Sequence, residues 1–86
     1  MLNKKKVTIK VTADDIRLSR QGDSSKCAVA RAMGRQLKYP VSVPGDCWRR
    51  RSTPDYHDLP IKIQQWIRRF DADRASVKPI SFSVVA

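Results

Sequence analysis

The stretch from Tyr39 to Arg51, Tyr-Pro-Val-Ser-Val-Pro-Gly-Asp-Cys-Trp-Arg-Arg-Arg, places the tightest limits on what this chain can fold into. Val41 and Val43 alternate with Pro40 and Ser42, the turn signal Pro44-Gly45 follows, and the chain resumes as a short strand carrying Trp48 among arginines. That pattern spells a β-hairpin. Pro-Gly favours a type II turn, whose twist suits a two-residue hairpin poorly, so a wider loop and a shifted register stay open. A tight pairing sets Val43 opposite Asp46, Val41 opposite Trp48 and Tyr39 opposite Arg50. Tyr39, Val41, Val43 and Trp48 then share one side, while Arg49 and Arg51 point the other way, beside Ser42.

On either side of the hairpin the periodicity is legible. Val7, Ile9 and Val11 alternate with Lys6, Thr8, Lys10 and Thr12, which predicts a half-buried first strand with one cationic face. Thr12 followed by Asp15 makes a capping box with Asp in place of Glu, and Asp14 and Asp15 suit the start of a short helix through Ile16 and Leu18, closed by Gly22. Asp23, Ser24 and Ser25 offer caps for a second helix with Cys27, Ala30, Met33 and Leu37 on one stripe, while Lys26, Arg31, Arg35 and Lys38 keep its other sides wet. Ser52 to His57 reads as a polar connector. Asp58 is placed to cap a third helix, with Pro60 in its first turn and Leu59, Ile63, Trp66, Ile67 and Phe70 as its buried stripe. Val77 to Val85 gives a last strand with Ile80, Phe82 and Val84 on one face and Ser81, Ser83 and Val85 on the other. Pro79 belongs at its start, its edge or a bulge.

The order strand, helix pair, strand, strand, helix, strand predicts an α+β fold. It is a small β-α-β-β-α-β two-layer sandwich of ferredoxin-like element order, an antiparallel sheet with the helices on one face, in a single domain over residues 1–86. Right-handed crossovers place strands one and three at the centre, with two and four outside them. Ile9, Val11, Val41, Trp48, Trp66, Ile67, Phe70 and Phe82 are expected to be buried together.

Eighteen Lys and Arg against eight Asp give a formal charge of +10, with a sequence pI near 10.3. A small domain needs a net charge of only about 2–8 for solubility, so the excess favours a polyanionic partner. Residues 1–6 form a basic segment expected to fray. It resembles a leader, but alternation follows it instead of an apolar block, and no apolar run is long enough to span a membrane. Cys27 and Cys47 are too few for a secreted disulfide framework, which makes a reducing cytoplasm the expected compartment.

On the predicted fold, the open sheet face collects Lys6, Thr8, Lys10, Arg49, Arg51, Ser42, Ser81 and Ser83. Lys6, Lys10, Arg49 and Arg51 are the candidate nucleic-acid contacts, with Arg50, Lys4 and Lys5 as additional ones. Like charges on adjacent strands repel, and a phosphate relieves that repulsion; the plainer alternative is a solvated face whose side chains splay into water. Stacking aromatics are missing from the face, so phosphate contact is expected over base reading. A helix-turn-helix running from Asp15 through Gly22 into Ser24, Ser25 and Lys26 is a competing reading, although polar Gln21 and Asp23 flank the glycine where that motif packs apolar groups. Cys27, Cys47 and His57 match no zinc spacing, and capping or turn formation accounts for Asp14 with Asp15 and for Asp71 with Asp73. No metal, cofactor or catalysis is expected.

Several segments together resemble a loose family of small, largely uncharacterised bacteriophage and prophage accessory proteins. They are Val-Thr-Ala-Asp-Asp-Ile at 11–16, Gly-Asp at 22–23, Cys-Ala-Val-Ala at 27–30, Leu-Pro at 59–60 and Trp-Ile-Arg-Arg-Phe-Asp at 66–71, before a final strand containing Pro79. Where such patterns place a glycine soon after Phe-Asp, this chain has Ala72-Asp73-Arg74. The resemblance implies action by binding in the host cytoplasm, either to nucleic acid or, in the manner of an anti-CRISPR inhibitor, to an acidic surface of a host or defence complex.

Overall fold

The computed structural model describes residues 5–85. β1 (Lys6–Val11) pairs antiparallel with β5 (Ile80–Val85), and β2 (Val41–Ser42), β3 (Cys47–Arg50) and β4 (His57–Asp58) form a second antiparallel sheet in that order. The helices are α1 (Ala13–Leu18), α2 (Ala28–Leu37) and α3 (Ile61–Ala72), and a 3₁₀ turn covers Arg74–Ser76. The chain is a small α+β protein.

Alternation places β1 as expected, while the last strand begins at Ile80, directly after Pro79, and not at Val77. Ile9 faces Phe82, with Val7 beside Val84 and Val11 beside Ile80, so the apolar positions of β1 and β5 meet on one face. Thr12 closes the capping box: Asp15 N–H donates to Thr12 Oγ1 at 3.2 Å, and Thr12 N–H donates to Asp15 Oδ2 at 2.9 Å. α2 packs against both β1 and β2 and so bridges the two sheets. It ends where Lys38 turns left-handed at φ 69°, its N–H donating to the Gly34 carbonyl, ahead of Tyr39-Pro40. The residue before a proline is kept out of the helical region, so the helix has no way to continue. All eight expected core residues belong to one buried cluster. Within it Trp66 stacks on Phe70, centroids 5.6 Å apart, and donates its indole N–H to the Lys78 carbonyl at 2.9 Å.

The hairpin register differs from the tight pairing: Val41 lies opposite Arg50 and Ser42 opposite Arg49. Trp48 was the expected partner of Val41, so the slip is two residues, and a slip of two returns every side chain to its own face. Val41, Val43 and Trp48 are accordingly all buried. The loop widens, with Val43 N–H donating to the Ser24 carbonyl at 2.7 Å and Gly45 at φ 135°, a value that favours glycine.

The larger difference is that strand one does not pair with the Trp48 strand. The pairs β1–β5 and β2–β3 are those a ferredoxin-like order requires, but the central pair that would join them is missing among the described residues. The edge of β1 away from β5 is covered at Lys10 by α2. Lys10 N–H donates to Gln36 Oε1 at 2.9 Å, and Gln36 Nε2 donates to the Lys10 carbonyl at 2.8 Å. A primary amide carries the donor and acceptor of a peptide group, so Gln36 stands where a neighbouring strand would. β3 instead gives its second edge to β4, made of His57 from the expected connector and Asp58 from the expected helix cap; Cys47 lies opposite Asp58 and Trp48 opposite His57.

Two helix starts also move. Asp58 is held in the β3–β4 pairing and does not cap α3, whose N-cap is Pro60, because Leu59 before the proline is kept extended. For α2 the cap is Cys27, whose Sγ accepts from Ala30 N–H at 3.5 Å. Asp23 instead organises the preceding turn, accepting from Ser25 N–H, Ser25 Oγ and Lys26 N–H. Ser24, Ser25 and Lys26 therefore precede the helix, and residues 19–27 make a longer connection than the three or four residues of a helix-turn-helix. At the last turn Asp73 is extended at φ −156° and caps the 3₁₀ turn through Ala75 N–H, so no glycine is needed after Phe70-Asp71.

Candidate nucleic-acid interface

The β1–β5 sheet presents Lys6, Thr8 and Lys10 on its open face, opposite Val85, Ser83 and Ser81 respectively. Neither strand contains an acidic residue. Lys5 is exposed just before β1, Lys6 is already its first residue, and Lys4 lies outside the described residues.

The arginine strand is placed differently from expectation. Arg49 sits on β3 with its guanidinium folded onto its own turn, Nη1 donating to the carbonyls of Arg51 and Thr53 at 3.0 Å each and its Cζ 5.7 Å from the Tyr56 ring centroid. Arg50 stacks on Tyr39 at 4.4 Å. Arg51 lies in the turn after β3, where its N–H donates to the Pro40 carbonyl and its Nη2 to the Ser25 carbonyl at 3.1 Å. Lys6 and Lys10 thus belong to one sheet and Arg49 to the other, and the single sheet face meant to carry all four cations is not formed. At Lys10 the edge where the arginine strand would pair is held by Gln36.

Charge on α2 is organised by a carboxylate. Asp15, 1 % exposed, is ion-paired through one oxygen with Arg31, whose Nε lies 3.2 Å away, and accepts from Arg35 on the other, while that second oxygen also takes the Thr12 N–H and hydroxyl. Arg31 and Arg35, four residues apart on one helix face, reach the same group. The sequence signal was that spacing beside an Asp in the capping position. Arg74 is likewise turned inward, donating to the carbonyls of Arg17 and Ser19 at 3.2 and 2.7 Å.

Arg20, Lys26 and Arg31 line one groove with Leu18 and Ser25; of the three cations only Lys26 was named for nucleic acid, in the helix-turn-helix alternative. The visible signal was only that Arg20 and Lys26 flank the Gly22-Asp23 turn, which does not say that their side chains converge.

Neither thiol sits in surroundings that favour the thiolate. Burial raises the Cys27 pKa above the ordinary thiol value; desolvation raises that of Cys47 too, helped by the neighbouring Asp46 carboxylate. The hydrogen bonds from Ser25 hold Asp23 below its ordinary value. Asp71 accepts the Gly22 N–H at 2.9 Å, tying the α1–α2 connection to the end of α3. Among the described residues no three His, Cys, Asp or Glu side chains are grouped to hold a metal, and no helix is long and apolar enough to cross a membrane.

Comparison with family models, with curated proteins and with solved structures found no match to this chain.

Proposed function

We propose that this is a small basic accessory protein of the bacteriophage type, acting in the host cytoplasm, that binds nucleic acid mainly through phosphate contacts and has no turnover of its own. The supporting observation is the formal charge of +10, combined with exposed cations on surfaces that carry no opposing carboxylate. Lys6 and Lys10 stand among the hydroxyls of Thr8, Ser81 and Ser83, a setting that suits phosphate oxygens and offers bases nothing to stack on. Arg50, at the end of β3, and Arg51, just after it, are exposed and extend the field.

The test is a binding titration of the parent protein against labelled duplex DNA and RNA across salt concentrations. Each neutralised phosphate contributes about 0.9 to the slope of log affinity against log salt on duplex DNA, so a slope of about −3 or steeper is expected. Binding that is absent or indifferent to salt defeats the reading. A stoichiometric complex with one host protein, recovered from lysate after nuclease treatment, would then favour an inhibitor docked on an acidic protein face.

A further inference from the structure

We infer that the groove between α1 and the start of α2 is where a backbone phosphate of the nucleic acid is seated; the inference rests on the proposed nucleic-acid function and assigns its principal contact. The groove is lined by Leu18, Arg20, Ser25, Lys26 and Arg31 and encloses about 350 Å³. That volume is at the low end of small-ligand clefts, about 300–1,000 Å³, and suits one phosphate with its sugar.

Three observations make it a built site. The backbones of the two cations at its rim are joined, Arg20 N–H donating to the Lys26 carbonyl at 2.8 Å, so their relative positions are set by the fold. Arg31 is held beside buried Asp15 by an ion pair, its Nε 3.2 Å from the carboxylate, and its side chain stays 43 % exposed for an incoming anion. Arg51, outside the lining, fixes the Ser25 carbonyl from behind at 3.1 Å. Ordering these groups costs little on binding, because the fold already holds them. The nearby carboxylates are occupied: Asp23 accepts from Ser25 and Lys26, and Asp15 accepts from Thr12 and Arg35 and pairs with Arg31. Leu18, 52 % exposed, gives the groove an apolar wall that strengthens attraction to a charge beside it.

The experiment compares the parent with Arg20→Gln/Lys26→Gln and with Lys6→Gln/Lys10→Gln, using a fluorescein-labelled 20-base-pair duplex across salt concentrations. The groove pair should weaken binding at least about tenfold near 0.1 M salt and flatten the slope by about 0.9 unit, as expected for the loss of one seated phosphate; the strand pair should do less than half of that. Both substitutions keep the backbone bonds, so an unchanged thermal midpoint is expected, and it separates lost contact from lost fold. In an NMR titration with the same duplex, the largest amide shifts should fall at Arg20, Ser25, Lys26 and Arg31. If the parent binds but the groove pair is silent, or if the shifts gather on β1 and β5, the groove assignment is overturned while nucleic-acid binding stands. A parent that binds no nucleic acid removes both.

Discussion

Replacing Asp15 tests whether this small domain is held together by a buried charge cluster as well as by its apolar core. Asp15→Ala takes away the acceptor for the Thr12 N–H and hydroxyl, and with them half of the capping box, which accounts for about 1 kcal/mol. It also removes the carboxylate that holds Arg31 and Arg35. Breaking a fully buried ion pair costs about 3–5 kcal/mol, but these arginine side chains are 43 % and 49 % exposed and regain water, so about 0.5–1 kcal/mol each is the better figure. The total is about 2–3 kcal/mol, roughly half of what a domain this size has to spare. Asp14, one residue earlier, provides the control: its pair with Arg17 is 72 % and 68 % exposed, and Asp14→Ala should change stability by no more than about 0.5 kcal/mol. Urea unfolding followed by the fluorescence of buried Trp48 and Trp66 measures both. With a slope of about 1 kcal/mol per molar urea, the Asp15 variant should unfold about 2–3 M earlier, and its deficit should persist in 1 M NaCl because a buried carboxylate is weakly screened. Equal midpoints for the two variants would refute the reasoning.

Trp66→Ala removes a stacked ring and orphans the Lys78 carbonyl, so a loss of about 3–5 kcal/mol and a largely unfolded protein at room temperature are expected by circular dichroism; a cooperative transition close to that of the parent would count against it. Gln36→Ala uncovers the edge of β1, and the Lys10 amide should lose hydrogen-exchange protection, with about 1 kcal/mol of stability, while the amide of Ile9, which faces Phe82 on the β5 side, keeps its own. Cys47 should react with a thiol reagent well before Cys27, which is 4 % exposed. Since burial raises the folded pKa of Cys27 above its unfolded value, the stabilisation from holding that proton is complete below the unfolded pKa, about 8.5, and is lost as pH rises through the folded one. Stability should therefore decline more steeply above pH 8.5 in the parent than in Cys27→Ala, and parallel profiles would contradict the assignment.

Much of this architecture is written in local patterns. The period of two in Lys6–Val11 and Ile80–Val85 and the stripe from Leu59 to Phe70 state which side of an element is apolar, the Thr12–Asp15 box states where α1 starts, and Ile9, Val11, Trp66, Ile67, Phe70 and Phe82 are all buried. Even the slipped hairpin kept its faces, because a shift of two leaves side-chain direction unchanged. What periodicity does not carry is which strand edges meet. Edges are made of backbone N–H and C=O groups, alike at every residue, and any correctly placed donor and acceptor satisfies them; here Gln36, distant in sequence, took the edge that pattern alone would have given to the Trp48 strand. His57–Asp58 then became the partner of β3, although a two-residue strand is too short to show a period. The same limit governs the cations. Composition supplies the charge of +10, but long side chains go where carbonyls and carboxylates draw them, so only the tertiary structure turned Arg49 and Arg74 inward and left Arg20, Lys26 and Arg31 around a common groove.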